Sequence, residues 1–134
     1  MDGVGEVLDA LTAHGVRLAI GSSGVRANLE LTVAECGLDG RFAAIASLED
    51  ITRGKPDPQV FLVAAERLGV APARCVVLED AVAGVQAARA GGMKCVAVRF
   101  VGHHPEAALR RAGADLVVQT LEQVTTDEVL RLFG

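Results

Sequence analysis

The sequence predicts an α/β protein whose sheet is mainly parallel. Short continuous apolar runs, typical of strands buried on both faces, alternate along the chain with segments whose apolar residues recur at helical spacing. This alternation is the pattern of parallel strands joined by crossover helices. The 134 residues are about one domain's length, and neither a linker nor an internal repeat interrupts the pattern, so we expect a single domain over residues 1–134.

Continuous apolar runs give the individual strands, and apolar residues at helical spacing give the helices. Glycines at positions 15, 37 and 69 follow helix patterns, as residues that end helices do. Two prolines make residues 50–58 an irregular loop, because proline lacks the amide hydrogen and biases its predecessor away from the helical region. The predicted strands are residues 16–20, 42–46, 75–78, 94–98 and 115–118, and the predicted helices are residues 4–14, 25–36, 58–68, 81–90, 105–112 and 126–133.

Composition and charge exclude several classes of function. The formal net charge is −4 and the basic residues do not gather into a stripe, so no nucleic-acid partner is expected. Tyr and Trp are absent and only four Phe are present, which argues against base stacking as well. No apolar stretch is long enough to cross a bilayer, so no membrane partner is expected either.

The cysteines bear on the cellular compartment. Cys36, Cys75 and Cys95 are odd in number and lie within helix or strand patterns. This favours buried thiols in a reducing compartment over a disulfide framework. The first residues lack the charged and apolar regions of a signal peptide, so we expect a cytoplasmic protein.

Two adjacent carboxylates, Glu79 and Asp80, lie where an apolar run ends and a small-residue helix pattern begins. Ligands of open α/β sheets bind at the carboxyl ends of the strands. Paired carboxylates there suit Mg²⁺, which takes one or two protein carboxylates and leaves its other positions to water and substrate phosphate. The alternative is that Asp80 only caps the following helix, but that would leave Glu79 unexplained.

The segment from Gly21 to Gly24 follows a predicted strand and precedes a predicted helix. Its hydroxyls and backbone amides can point at an anion, as can the first amides of the helix. Ser22, Ser23 and Gly24 are therefore candidates for phosphate binding, although the same residues also make ordinary strand-to-helix turns. The Gly-x-Ser-x-Gly spacing of a serine-hydrolase nucleophile is absent from this segment.

Lys55 stands in the irregular loop, between Gly54 and Pro56. The chain has eleven arginines and two lysines, so a lysine here indicates a need for a compact point charge that can approach one phosphoryl oxygen. The alternative is a solvated loop lysine. Its neighbours stiffen the turn, however, which favours a side chain aimed at a site.

Taken together, these residues resemble those of the haloacid dehalogenase superfamily, and more closely its β-phosphoglucomutase and phosphatase branch. The resemblance rests on Ser22 after a strand, Lys55 in Gly-Lys-Pro-Asp-Pro, and Glu79-Asp80 in Val-Val-Leu-Glu-Asp-Ala-Val-Ala-Gly-Val, and it covers essentially the whole chain. It implies a Rossmann-like three-layer α/β/α core and Mg²⁺-dependent phosphohydrolase or phosphoglucomutase-type chemistry on a small phosphorylated metabolite such as a sugar phosphate. Ser22 would then hydrogen-bond the phosphoryl group, Lys55 would neutralise its charge, and Glu79 and Asp80 would hold Mg²⁺.

The family's nucleophile motif is missing from this chain. That motif is Asp-x-Asp on a strand near the amino terminus, followed in this branch by a helical cap, and no Asp-x-Asp occurs in the sequence. Without the aspartate no phosphoaspartyl intermediate can form, so the chain alone is expected to be inactive.

The missing segment has a structural consequence as well. In the family's sheet the nucleophile strand lies between the strand before Ser22 and the strand that ends at the acid pair. Its loss leaves two unpaired edges, and such edges tend to recruit partners. We therefore expect the chain to be part of a longer gene product, and to self-associate or bring the two strands together if it is purified alone.

Two other functions remain open at the level of sequence. A non-catalytic module could keep the fold and bind phosphorylated small molecules through Ser22 and Lys55. A plain interaction domain would bind neither phosphate nor Mg²⁺. Gly84, within the predicted helix after the acid pair, is interpreted as a packing residue that lets its helix lie close to the sheet.

Overall fold

The structure is a computed structural model that describes residues 4–99 and 104–133. Over these ranges helices and strands alternate, apart from three short 3₁₀ turns. The helices are α1 (Val4–Ala13), α2 (Arg26–Glu35), α3 (Gln59–Leu68), α4 (Val82–Ala90), α5 (Glu106–Ala112) and α6 (Thr126–Arg131), and the strands are β1 (Ala19–Gly21), β2 (Ala44–Ala46), β3 (Val76–Glu79), β4 (Lys94–Val98) and β5 (Leu116–Val118).

Every strand pair in the described residues is parallel, which confirms the predicted α/β class. The strands form two sheets, one of order β1-β2 and one of order β3-β4-β5. The connections between paired strands run through helices: α2 between β1 and β2, α4 between β3 and β4, and α5 between β4 and β5. These are the crossover units that the alternating pattern predicts.

The larger sheet buries both faces, which gives the molecule its three layers. Successive strand residues point to opposite faces. Val77 and Cys95 pack in a core cluster with residues of α3, α4 and α5, whereas Val96 and Val98 pack in a second cluster with residues of α1 and α6. The predicted Rossmann-like three-layer arrangement is therefore confirmed.

The strands β1 and β3 are not hydrogen-bonded to each other, and no other described strand lies between them. The ladders fix which backbone groups are used, because Ser22 N–H donates to Ala46 and Lys94 N–H donates to Cys75. By alternation, the amides and carbonyls of residues 19 and 21 in β1, and of residues 76 and 78 in β3, point away from their partner strands. The β1 edge of one sheet and the β3 edge of the other could therefore each accept a further parallel strand. The alternative expectation that these two strands move together is wrong for this structure.

The first two strands are shorter than predicted. Residues 16–20 and 42–46 are the predicted strands, whereas the structure has the strands Ala19–Gly21 and Ala44–Ala46. Val16 and Leu18 are nevertheless partly buried against the core cluster that contains α1. Their apolar character therefore reflects packing of the segment that leads into the strand, a role that the sequence pattern does not separate from strand pairing.

The expectation that all three thiols are buried is wrong for Cys36. It follows α2, a helix that buries none of its residues fully, and it is exposed. Cys75 is partly exposed, and Cys95 in β4 is fully buried. Within the described ranges, no helix combines the length and apolar character needed to span a membrane.

Candidate functional site

The candidate residues lie at the carboxyl ends of β1 and β3. Ser22 directly follows β1, Glu79 is the last residue of β3, and Asp80 follows it. Because each of these strands runs parallel to its neighbour, this is the end of the sheet at which α/β folds bind ligands. The loop that carries Lys55 reaches the same place from the amino end of α3.

A contact between Lys55 and Glu79 is the centre of the site. Lys55 Nζ donates to Glu79 Oε2 at 2.9 Å, and the two side chains are only 21% and 11% exposed. The same ammonium lies over the ring of Phe61, 4.8 Å from its centroid. A partly desolvated pair of this kind is held by charge and by the aromatic face together, because less water competes for either group.

The Lys55 loop is held against the start of α3 by side-chain hydrogen bonds. Gln59 Oε1 accepts the amides of Thr52 and Arg53, each at 2.8 Å. Asp57 Oδ1 accepts the Gln59 amide at 2.9 Å, and so satisfies one of the free donors at the helix start. The Lys55–Pro56 peptide bond is cis. The two prolines and these three hydrogen bonds of Gln59 together hold the backbone that carries Lys55.

The other oxygen of Glu79 is bound by the backbone amides of the next two residues. Oε1 accepts the Asp80 amide at 3.0 Å and the Ala81 amide at 3.4 Å, just before α4 begins. The carboxylate thus turns back over the first turn of α4. There it meets Gly84, where an added Cβ would lie 2.0 Å from Glu79 Cδ and Oε2. Gly84 therefore lets its helix lie close to the end of β3, in line with the expectation, and the nearest atoms there belong to a site carboxylate.

The Ser22 loop is joined to this cluster through Phe61. A Cβ on Gly21 would lie 2.8 Å from the Phe61 ring, so the end of β1 packs on the ring that also supports Lys55. Ser22 Oγ accepts the Gly24 amide at 3.0 Å, which turns the hydroxyl into its own loop and leaves its hydrogen able to donate. Ser23 is exposed. Within the described residues, Ser22 makes no direct hydrogen bond to Lys55 or Glu79.

Asp80 is exposed and does not cap α4. The residue at the capping position is Ala81, and no side chain caps the helix. Among residues 4–99 and 104–133, no group of three or more His, Cys, Asp or Glu side chains could hold a metal ion. Two adjacent carboxylates are nevertheless a donor set that fits Mg²⁺, which uses one or two protein carboxylates and is otherwise ligated by water and phosphate.

Cys95 lies in β4, the strand that pairs with the one ending at Glu79. Its thiol is fully buried in β4, and burial raises its pKa to about 12, with smaller contributions from the charges of Glu79 and Asp115. Asp115 Oδ2 accepts the Cys95 amide at 2.8 Å. The thiol is thus kept protonated at neutral pH and is a packing group rather than a nucleophile.

The sequence pattern does not assign Phe61 and Gly84 to the site. Phe61 fits the pattern only as an apolar residue of its helix, and no spacing rule connects it to Lys55. Gly84 carried a signal, because a glycine inside a helix pattern costs stability and often has a packing reason. That signal could not name Glu79 as the neighbour.

Comparisons with known proteins agree with the fold. The sequence profile described as haloacid dehalogenase-like hydrolase matches residues 1–92. The chain is 42% identical over 129 residues to a β-phosphoglucomutase of Mycobacterium bovis, covering 92% of this chain and 48% of that protein. It is 36% identical over 131 residues to the chloroplastic 5-amino-6-(5-phospho-D-ribitylamino)uracil phosphatase of Arabidopsis thaliana, covering 98% of this chain and 34% of that protein.

A solved structure extends the comparison to three dimensions. A HAD family hydrolase from Deinococcus radiodurans, crystallised with bound phosphate and sodium, superposes with a TM-score of 0.80 at 38% sequence identity, over 90% of this chain and 55% of that chain. The chain therefore spans between about a third and somewhat over half of the length of these three proteins.

Proposed function

Because the chain belongs to the haloacid dehalogenase-like hydrolases, we propose that it supplies the phosphate-binding and Mg²⁺-binding part of a phosphatase or phosphomutase. The observation that carries the proposal is the ion pair between Lys55 and Glu79 at the carboxyl end of β3. It places a cation suited to phosphate beside a carboxylate suited to a metal. The substrate would be a small phosphorylated metabolite, of which a sugar phosphate is one example.

Each residue has a distinct part in the proposed reaction. Lys55 would offset the negative charge of the phosphoryl oxygens, and the Ser22 hydroxyl with the amides of Ser23 and Gly24 would donate hydrogen bonds to them. Glu79 and Asp80 would hold Mg²⁺. The metal, when bound, neutralises developing charge on the phosphoryl group, so that positioning and charge account for most of the rate.

These 134 residues contain no Asp-x-Asp, and we propose that the chain does not turn over substrate alone. The open edges of β1 and β3 could accept the strand that carries this motif. We accordingly expect phosphatase or mutase activity only after a polypeptide with the family's Asp-x-Asp strand and cap is supplied. Hydrolysis by the isolated chain at the same rate as in the mixture would contradict this part of the proposal.

The part of the proposal that concerns phosphate is tested by measuring phosphate affinity. Inorganic phosphate is titrated into the chain by calorimetry in the presence of Mg²⁺, for the wild type, Lys55→Met and Lys94→Met. A lost charge-assisted hydrogen bond costs about 1.5–3 kcal/mol, so Lys55→Met should weaken binding by roughly tenfold or more. Lys94, the chain's other lysine, begins β4 at the opposite end of the sheet, and its variant should bind like the wild type. Equal affinities in all three proteins would overturn the assignment of Lys55.

The second candidate function is a non-catalytic module that binds phosphorylated small molecules. The same residues carry it, since Lys55 and the Ser22 loop need no nucleophile to bind an anion. Phosphate binding without turnover in the supplemented mixture would favour this module over the enzyme. Absence of both phosphate and Mg²⁺ binding would favour a plain interaction domain.

We further propose one domain over residues 1–134, and self-association of the isolated chain through its open strand edges. Leu78 in the edge strand β3 is 37% exposed, which adds apolar surface beside the unused backbone groups. Sedimentation velocity across a hundredfold range of concentration should show a rising sedimentation coefficient, and a constant monomer value would refute self-association. The three free cysteines support a reducing compartment, and we propose the cytoplasm.

A further inference from the structure

Gly84 is the most crowded glycine that the structure describes. A Cβ there would lie 2.0 Å from Cδ and Oε2 of Glu79 and 2.2 Å from its Cγ. The next closest cases are Gly21 against a Phe61 ring carbon at 2.8 Å and Gly113 against Arg89 at 2.9 Å. Contacts below 3.0 Å essentially never occur, so any other residue at position 84 must displace something.

The helix that carries Gly84 has little room to retreat. Val85, Ala87 and Ala88 on the same helix are fully buried, and they belong to the core cluster that joins α4 to α3, α5 and the sheet. Moving the helix by more than 1 Å would open or overlap contacts along this whole face, and close-packed interiors resist such shifts. The Glu79 side chain, whose carboxylate end meets the added methyl, is the more mobile partner.

We infer that Gly84 is a positioning residue for Glu79: its missing side chain is the space in which the carboxylate lies while it accepts Lys55 and the Asp80 amide. An added methyl would push the carboxylate out of this space and separate it from Lys55. The clashing atoms, Cγ, Cδ and Oε2, all belong to one side chain, so rotation about χ1 can move them away from the methyl without a shift of the backbone. The consequence for Mg²⁺ rests on the proposed function, whereas the placement of Glu79 does not.

A stability cycle tests the placement without a ligand. Urea unfolding is measured for the wild type, Gly84→Ala, Glu79→Ala and the double variant, with Gly5→Ala as the matched control. Gly5 lies in α1 and a Cβ there would meet nothing within 4 Å. The change in the urea midpoint caused by Gly84→Ala should be more negative when Glu79 is present than in the Glu79→Ala background. This difference is expected whether the two changes are themselves positive or negative. Gly5→Ala should shift the midpoint equally in both backgrounds. Equal effects of Gly84→Ala in the two backgrounds would overturn the inference.

Metal binding provides the second readout. Mn²⁺, a paramagnetic substitute for Mg²⁺, is titrated by water-proton relaxation into the wild type, Gly84→Ala and Gly5→Ala. Loss of a group that orients a metal ligand weakens binding by about 10–100-fold, so Gly84→Ala should show at least the lower figure and Gly5→Ala none. Wild-type affinity in Gly84→Ala would overturn the inference. If the wild type itself fails to bind Mn²⁺, the proposed metal site is wrong, and the stability cycle still decides the placement of Glu79.

Discussion

Single carboxylates in this chain are fixed by specific donors, and Asp50 is the clearest case outside the site. Its oxygens accept Arg67 Nη2 at 2.7 Å, Arg26 Nη2 at 3.3 Å, and the amide and hydroxyl of Ser47 at 2.9 Å each. The Arg67 guanidinium and the Ser47 donors hold the pKa of Asp50 well below its usual range. The two arginines also donate to the Ile45 carbonyl. This backbone acceptor at the outer edge of β2 is therefore already used and is not free for a further strand.

The depressed pKa of Asp50 sets the sign of its contribution with pH. A carboxyl that ionises more readily in the folded chain stabilises the fold above its unfolded pKa of about 4, and this stabilisation is lost as the pH falls toward the folded-state value. Asp50→Asn should therefore lower the melting temperature at pH 7 and flatten its decline between pH 5 and pH 3. Circular dichroism melts check this, with Asp39→Asn in an exposed turn as the control. A decline as steep as that of the wild type would contradict the role given to Asp50.

The three thiols should differ in reactivity because they differ in exposure. Cys36 is exposed, whereas Cys95 is fully buried and its pKa is raised to about 12. A thiol-reactive disulfide reagent at pH 8 should modify Cys36 first and leave Cys95 unreacted until the chain unfolds. Cys36→Ser should remove the fastest phase. Rapid modification of Cys95 in the folded chain would show that β4 is not buried as described.

At the scale of elements, order and type were predictable and the bounds were less so. The strand Lys94–Val98 was predicted with its observed bounds, because four of its five residues are fully buried and Gly91 and Gly92 precede it. The first strand was predicted to begin too early, because the apolar side chains of Val16 and Leu18 pack against the core ahead of the strand itself. Strand pairing depends on the partner, and the partner β2 has only three residues.

The open edges predict a pattern of hydrogen exchange. The amides of Ala19, Gly21, Val76 and Leu78 point away from their partner strands, whereas those of Ile20 and Val77 lie in ladders. In dilute monomer the first four should exchange much faster than the last two, as NMR-detected exchange would show. Protection of all six amides at low concentration would mean that something else covers these edges.

Helix α5 is anchored by a single buried side chain. Leu109 is fully buried, and it is the one residue of α5 in that class. Leu109→Ala should cost about 2–5 kcal/mol in the free energy of unfolding, because it removes buried surface and leaves a cavity. Leu31→Ala in α2, where the side chain is 57% exposed, should change it by less than about 0.5 kcal/mol. Similar losses in the two variants, measured by urea unfolding, would contradict the assigned packing.

At the scale of the whole molecule, the fold brings three separate loops toward one end of the sheet. The sequence indicates these loops because each follows a strand or carries a stiffened turn. Parallel strands then bring their carboxyl ends, and with them the loops, to the same edge. It could not supply the contacts that join them, since neither the Phe61 ring beneath Lys55 nor the space at Gly84 follows from spacing. These contacts arise from how α3 and α4 pack against the two sheets.

The most direct measurement is calorimetric titration of Mg²⁺ into the chain in the presence of inorganic phosphate, comparing the wild type with Asp80→Asn. Asp80 is exposed beside Glu79, so its variant should keep the fold and lose one proposed metal ligand. We predict saturable binding by the wild type and at least about tenfold weaker binding by Asp80→Asn, with Asp39→Asn like the wild type. Equal Mg²⁺ affinity in the wild type and Asp80→Asn, or no binding by the wild type, would contradict the account.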